Sequence, residues 1–158
     1  MRNARQILFL VALACAGLIG FALYLQIVEN MAPCPWCIIQ RYAFIATGLI
    51  CLIFAILPPG TLAVGAGFAA ATALAGAGAA GWHVWIKAHP GVSCGIDPVE
   101  TSLNTIPTAN WLPLLFKADG LCTTPYDPIL GLSIPQWSLV WFLLFVLVLG
   151  RIAIKGAR

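Results

Sequence analysis

The stretch PCPWCIIQR, Pro33 to Arg41, sets two cysteines in a CxxC spacing and a permanent cation four positions after the second. Two further cysteines, Cys94 and Cys122, lie in a more polar stretch, and Cys15 and Cys51 fall inside long apolar runs. Thiols in this pattern can hold a metal, staple the chain or exchange electrons. A zinc site would need Cys34, Cys37, Cys94 and Cys122 together. A CxxC with two lone, distant partners is poor zinc-ribbon spacing, and no metal is assigned. Static disulfides are the second alternative, and a bridge between Cys94 and Cys122 could simply close a loop. A CxxC bridge is different, because its ring is so small that closing it removes little loop entropy. Such pairs are made and broken more often than kept, which favours redox exchange. For Cys15 and Cys51 the plain reading holds: a free cysteine in an apolar span behaves as a small apolar residue.

The elements that must position these sulfurs are membrane spans. Of the 158 residues 61% are hydrophobic and only 8% charged, with a mean hydropathy of +0.97. A water-soluble domain carries about a quarter charged residues, so this surface cannot all face water. A net charge of only +3 also argues against a general nucleic-acid surface. Crossing a hydrocarbon core takes roughly 20 apolar residues, and four runs reach that length, at about 7–27, 38–57, 62–82 and 134–154. The second ends at Pro58-Pro59-Gly60, a breaker cluster. The third is built from alanine and glycine, which in a bilayer permit close helix contact and mark the most tightly packed helix of a bundle. The fourth opens with Pro135 near its first turn, where proline is tolerated. The first run has a rival reading as a signal peptide, with Arg2 and Arg5 as its basic start and Ala12-Leu13-Ala14 before Cys15 as a cleavage site. Its apolar character continues unbroken through AGLIGFALYL, so it reads as an uncleaved span.

The expected fold is an all-α membrane protein, a four-transmembrane-helix bundle forming a single domain over residues 1–158. Five of the eight Lys and Arg residues cluster at the termini (Arg2, Arg5, Arg151, Lys155, Arg158), which puts both termini in the cytoplasm. Two loops then face outward, at about 28–37 and 83–133, and all five acids fall within them. Trp36, Trp82, Trp85 and Trp137 lie at the outer span ends, where interfacial anchoring accounts for them. Within the long loop, ANWLPLLFKADG is too short to span and suits the membrane surface. Cys34, Cys37, Cys94 and Cys122 are thereby all expected on the outer side, where disulfides persist.

Local physics sharpens the motif. If the second helix starts there, Cys34 is at the N-cap, Pro35 at N1 and Cys37 at N3. A thiolate in that first turn meets unsatisfied N–H groups and the positive end of the helix. Arg41 follows Cys37 on the same face, one turn deeper. Interfacial snorkelling is the plain reading of Arg41. The sharper one is that its cation stabilises a Cys37 thiolate and the electron acceptor beside it. The sequence carries no nicotinamide or flavin fingerprint, so the acceptor is expected to dissolve in the membrane.

The ordered set resembles the DsbB family, quinone-dependent membrane thiol oxidases, over essentially the whole chain. The residues that carry the resemblance are CxxC-xxx-Arg in the first outer loop, PGVSCG and DGLC in the second, and LGLSIPQW opening the fourth span. In such a relay the bacterial periplasm is kept oxidising through DsbA, DsbB and quinone. The resemblance implies a DsbA-like periplasmic thiol oxidase as partner, a membrane quinone (ubiquinone or menaquinone) as cofactor, and the bacterial inner membrane as location. It also implies roles. Cys94 and Cys122 resemble the loop pair reduced by the partner, with Cys94 forming the mixed disulfide and Cys122 then exchanging with Cys34. Cys37 resembles the cysteine facing the quinone ring, and Arg41 the arginine beside it. His83 stands at the outer end of the third span, where the family can place a polar quinone neighbour; an interfacial histidine is the plain alternative. Asp127 occupies a position where the family frequently has an aromatic, with Tyr126 adjacent. An oxidoreductase of the vitamin K epoxide reductase kind would carry its CxxC later in the chain, inside a span, and is disfavoured. The non-enzyme alternative is a small membrane adaptor or transporter subunit with two structural disulfides and no thiol cycling.

Overall fold

The computed structural model describes residues 2–89 and 98–156. Four of the described helices are long and apolar enough to cross a bilayer: α1 (Arg2–Ile27), α2 (Pro35–Ile56), α3 (Leu62–Ala88) and α7 (Ile134–Gly156). Three short helices lie between the last two, α4 (Pro98–Thr105), α5 (Pro107–Trp111) and α6 (Pro113–Phe116). Among the described residues no strand forms beyond one bridge, Ile129 to Leu132.

The spanning helices form an open ring. Helix α1 packs on α2, α2 on α3 and α3 on α7, whereas α1 and α7 scarcely meet. The closed seams depend on small residues, because in lipid helices associate through close van der Waals packing rather than through the hydrophobic effect. A side chain on Gly76 would fall inside the Phe142 ring, and one on Gly65 would fall on Phe54. Phe142 in turn stacks on Phe44, ring centres 3.9 Å apart, so one aromatic pair joins α2, α3 and α7. Thr47 and Thr72 share a 2.9 Å hydrogen bond between α2 and α3, and Thr72 also donates to the Ala69 carbonyl. Cys15 and Cys51 are buried free thiols within this core.

Helix ends follow local chemistry. Cys34 is the extended N-cap of α2, with Pro35 in the first turn, as the motif predicts. Before α7, the Gln136 side chain accepts from both the N–H and the hydroxyl of Ser133, one half of a capping box. Helix α3 runs to Ala88, beyond the expected span end at Trp82. The reason is a change of pattern: His83 and Ile86 turn inward while Trp82 and Trp85 stay about half exposed, so the helix continues after uniform hydropathy stops. His83 therefore belongs to a helix rather than to a loop.

The short helices lie along the flank of α2. Leu103, Ala109 and Phe116 bury against Ile38, with Tyr42 and Ile45 beside them. The Tyr42 ring stacks on Phe116, ring centres 4.5 Å apart. Trp111, Leu112 and Leu114 point outward and are exposed, giving this segment an apolar outer face. The opposite end of the bundle holds the basic termini, where Arg5 donates to the Leu57 carbonyl at 3.0 Å.

Candidate functional site

The site grows from the first turn of α2. The Cys37 N–H donates to the Cys34 sulfur at 3.4 Å, so the N-cap side chain satisfies one of the orphan donors of that turn. This capping geometry brings the two sulfurs to 3.0 Å, with both residues as free thiols. Cys34 is almost fully buried and Cys37 partly so. The hydrogen bond with Cys37 pushes the Cys34 thiol well above its ordinary range, and burial adds to the shift. Cys34 therefore keeps its proton to higher pH than an ordinary thiol.

Helix α3 supplies the next layer. His83 Nε2 lies 3.6 Å from the Cys34 sulfur, and His83 Nδ1 lies 3.1 Å from the Gln40 amide nitrogen. Both side chains are buried, so each polar atom needs such a partner. Gln40 thus fixes which ring nitrogen faces the sulfurs. One turn below Cys37, Arg41 donates to the carbonyls of Leu114 (3.3 Å), Leu115 (3.1 Å) and Ala22 (3.5 Å). The guanidinium is buried and held by backbone carbonyls, two of them from the short helix α6, so it does not snorkel outward.

The second cysteine loop is pinned to the first. The N–H groups of Asp119 and Gly120 both donate to the Pro33 carbonyl, at 3.1 and 3.0 Å. A side chain on Gly120 would meet the Ala32 carbonyl oxygen, so only glycine permits this approach. Tyr126 adds a bond from its hydroxyl to the Ala32 carbonyl at 3.4 Å. Its own ionisation is pushed up, by burial first and then by negative charge at Cys37. These contacts seat Cys122, which is disulfide-bonded, in one buried cluster with Cys34 and Ile86, edged by Trp36 and Cys37.

A cavity of about 280 Å³ joins the parts. It occupies the gap where α1 and α7 fail to meet, and its apolar walls include Leu18, Phe21, Phe44 and Trp141. Cys34, Cys37, Gln40, Arg41 and His83 line it from the helices, and Cys122, Tyr126 and Asp127 line it from the loop side. Of the residues singled out in the sequence, Cys34, Cys37, Arg41, His83 and Cys122 converge here. Cys94 lies outside the described residues. Gln40 was not singled out. Its only signal in the sequence is an amide next to Arg41 inside an otherwise apolar helix.

Comparison with known proteins points the same way. A family model described as "Disulfide bond formation protein DsbB" matches residues 4–152. A protein of Herminiimonas arsenicoxydans named disulfide bond formation protein B is 63% identical over 155 residues, 98% of each chain. A namesake from Ralstonia nicotianae is 46% identical over 99% of this chain and 98% of its own. Disulfide bond formation protein B 1 of Pseudomonas syringae pv. syringae is 43% identical over 100% of this chain and 94% of its own. The chain belongs to the DsbB family. It is a multi-pass membrane protein of a disulfide-generating oxidoreductase family.

Proposed function

We propose that this chain reoxidises a DsbA-like, thioredoxin-fold dithiol oxidase in the periplasm and passes the electrons to a quinone of the bacterial inner membrane, ubiquinone or menaquinone. The observation that carries the reading is the position of the Cys34–Cys37 pair. It touches Cys122 on one side and lines the cavity between α1 and α7 on the other. An electron carrier between a water-soluble donor and a lipid-soluble acceptor needs both contacts. The cluster of Lys and Arg at the termini supports a cytoplasmic location for them and an outward location for the sulfurs. The adaptor reading, with two static disulfides, is not favoured, because the family and its named relatives are disulfide bond formation proteins.

The exchange proceeds by in-line displacements of thiolate on disulfide. A partner thiolate attacks the sulfur of Cys94 in a Cys94–Cys122 disulfide, and Cys122 leaves as a thiolate. The Cys122 thiolate attacks Cys34 of a Cys34–Cys37 disulfide and expels the Cys37 thiolate toward the cavity. The second partner thiol then frees Cys94, which displaces Cys34 and restores the loop disulfide. Two electrons have moved from the partner to Cys34 and Cys37.

The cavity residues fit a quinone head group, with apolar walls for the ring and N–H donors from Arg41 and His83 for its oxygens. A bound quinone supplies the oxidising equivalent, taking up two electrons and two protons as the Cys34–Cys37 disulfide re-forms. Arg41 fixes positive charge at the cavity, one turn from Cys37. His83 Nε2 faces the Cys34 sulfur at 3.6 Å. Gln40 holds the ring in that orientation. The test is turnover of a reduced thioredoxin-fold partner with a soluble quinone analogue, followed by quinone absorbance. Wild-type protein is expected to turn over and Cys37→Ser to fall to background. Arg41→Gln removes charged hydrogen bonds and is expected to raise the quinone KM about tenfold. Absence of turnover with every quinone, while the disulfides stay intact, contradicts the reading.

A further inference from the structure

The reduced sulfur pair has a third neighbour that turns it into a chelate. One ligand atom from each of Cys34, Cys37 and His83 lies within 4.8 Å of the other two. We propose that, when reduced, Cys34, Cys37 and His83 bind a thiophilic d10 cation such as Zn2+ or Cd2+, with the fourth coordination position open to the cavity between α1 and α7. This is a different ligand set from a four-cysteine zinc site, because it recruits a histidine from α3 and needs neither Cys94 nor Cys122.

Geometry and donor type both support it. Two thiolates and one imidazole are the soft and borderline donors that select this group of metals. With zinc–sulfur bonds of about 2.3 Å and zinc–nitrogen bonds of about 2.0–2.1 Å, a tetrahedral site separates sulfur from nitrogen by roughly 3.6 Å and sulfur from sulfur by roughly 3.7 Å. The Cys34 sulfur already lies 3.6 Å from His83 Nε2, and the 3.0 Å between the sulfurs has to open by about 0.7 Å to reach the tetrahedral spacing. Cys37 achieves this by turning about its Cα–Cβ bond in the first turn of α2. The supporting contact is also present: Gln40 meets His83 Nδ1 at 3.1 Å. With the amide turned to offer its oxygen, Nδ1 keeps the proton and Nε2 presents its lone pair, the usual outer support of a metal-bound histidine. The charge of Arg41 opposes a dication, but its bonds to Leu114, Leu115 and Ala22 hold it a turn away.

Binding replaces each S–H bond by a metal–sulfur bond, releases the thiol protons and moves no electrons. The oxidised pair, with its sulfurs bonded to each other, offers no site. A bound cation therefore locks the pair as thiolates and occupies the side from which an oxidant would approach. That inhibitory consequence rests on the redox function proposed above; the binding itself does not.

The test uses full-length protein in detergent, fully reduced and freed of reductant, titrated with Cd2+ alone. The readout is the ultraviolet cadmium–thiolate charge-transfer band. Wild type is expected to show a saturating band that Cys34→Ser loses. Removing a ligand with His83→Ala should weaken binding by about 100-fold, and Gln40→Leu, an outer-shell change, by about tenfold. His83→Cys guards against simple misfolding, because it restores tight binding and enlarges the band with a third thiolate. The site is overturned if reduced wild type binds no more Cd2+ than Cys34→Ser, or if His83→Ala binds as tightly as wild type. Because no quinone or partner is present, this outcome is independent of whether the chain turns over.

Discussion

The bundle has one sealed seam and one open seam, and the contrast separates scaffold from function. Between α3 and α7 the backbone approaches so closely that Gly76 has no room for a side chain beside Phe142. Between α1 and α7 the helices scarcely meet, and the gap is a cavity. Both seams are apolar, so hydropathy does not distinguish them. Only the open one brings polar groups to its inner wall, from Cys34 and Cys37 down to Arg41. A membrane helix pair can always close further by using smaller residues. Here this chain instead keeps Phe21 and Trp141 around the cavity, on the side where the proposed oxidant would enter from the lipid.

The contrast can be broken most severely at the sealed seam. Gly76→Leu forces the Phe142 ring out of its place and is expected to cost the bundle about 2–3 kcal/mol, the upper part of the usual overpacking range. Gly20→Leu on α1, where nothing lies within 4 Å, should stay within about 0.5 kcal/mol of wild type. Reversible unfolding in mixed detergent measures both; equal losses would remove the distinction. At the open seam the sign reverses. Ser138→Phe fills cavity space without displacing a packed neighbour, so stability is expected to hold while apparent quinone affinity drops about tenfold, equivalent to about 1.4 kcal/mol. The smallest effect lies within the sulfur pair. Because the Cys34 thiol is pushed up, its protonated form persists to higher pH, and alkylation, which needs the thiolate, should begin only well above the ordinary cysteine range. Cys37→Ala removes the leading cause and should move that pH profile down. A Cys34 profile that does not respond would contradict the assigned hydrogen bond.

What was legible in the sequence was what the chain encodes locally. Four spans follow from run length alone, and the N-cap at Cys34, the proline at N1 and the cation one turn below Cys37 follow from helical spacing. The resemblance carried His83 to the outer end of the third span, but not into the helix that continues past Trp82. The Gln40–His83 pair was not legible, because it depends on how α2 and α3 rotate against each other and no local pattern records that. The docking of the Cys122 loop on Pro33 runs through backbone N–H groups, which leave only Gly120 as a trace. The carbonyl partners of Arg41 were hidden for the same reason: Leu114 and Leu115 supply backbone atoms, and their side chains do not announce it.

The central claim is that the pair at the open seam, Cys34 and Cys37, is the one that meets the lipid-soluble oxidant. The direct measurement removes the other pair. Full-length Cys94→Ser/Cys122→Ser protein is reduced, mixed with a soluble quinone analogue in a single turnover, and assayed for quinone absorbance and for remaining thiols. The account expects the quinone to be reduced without any partner, with Cys34 and Cys37 becoming a disulfide. Quinone reduction that requires Cys94 and Cys122, with Cys34 and Cys37 left as thiols, would contradict it.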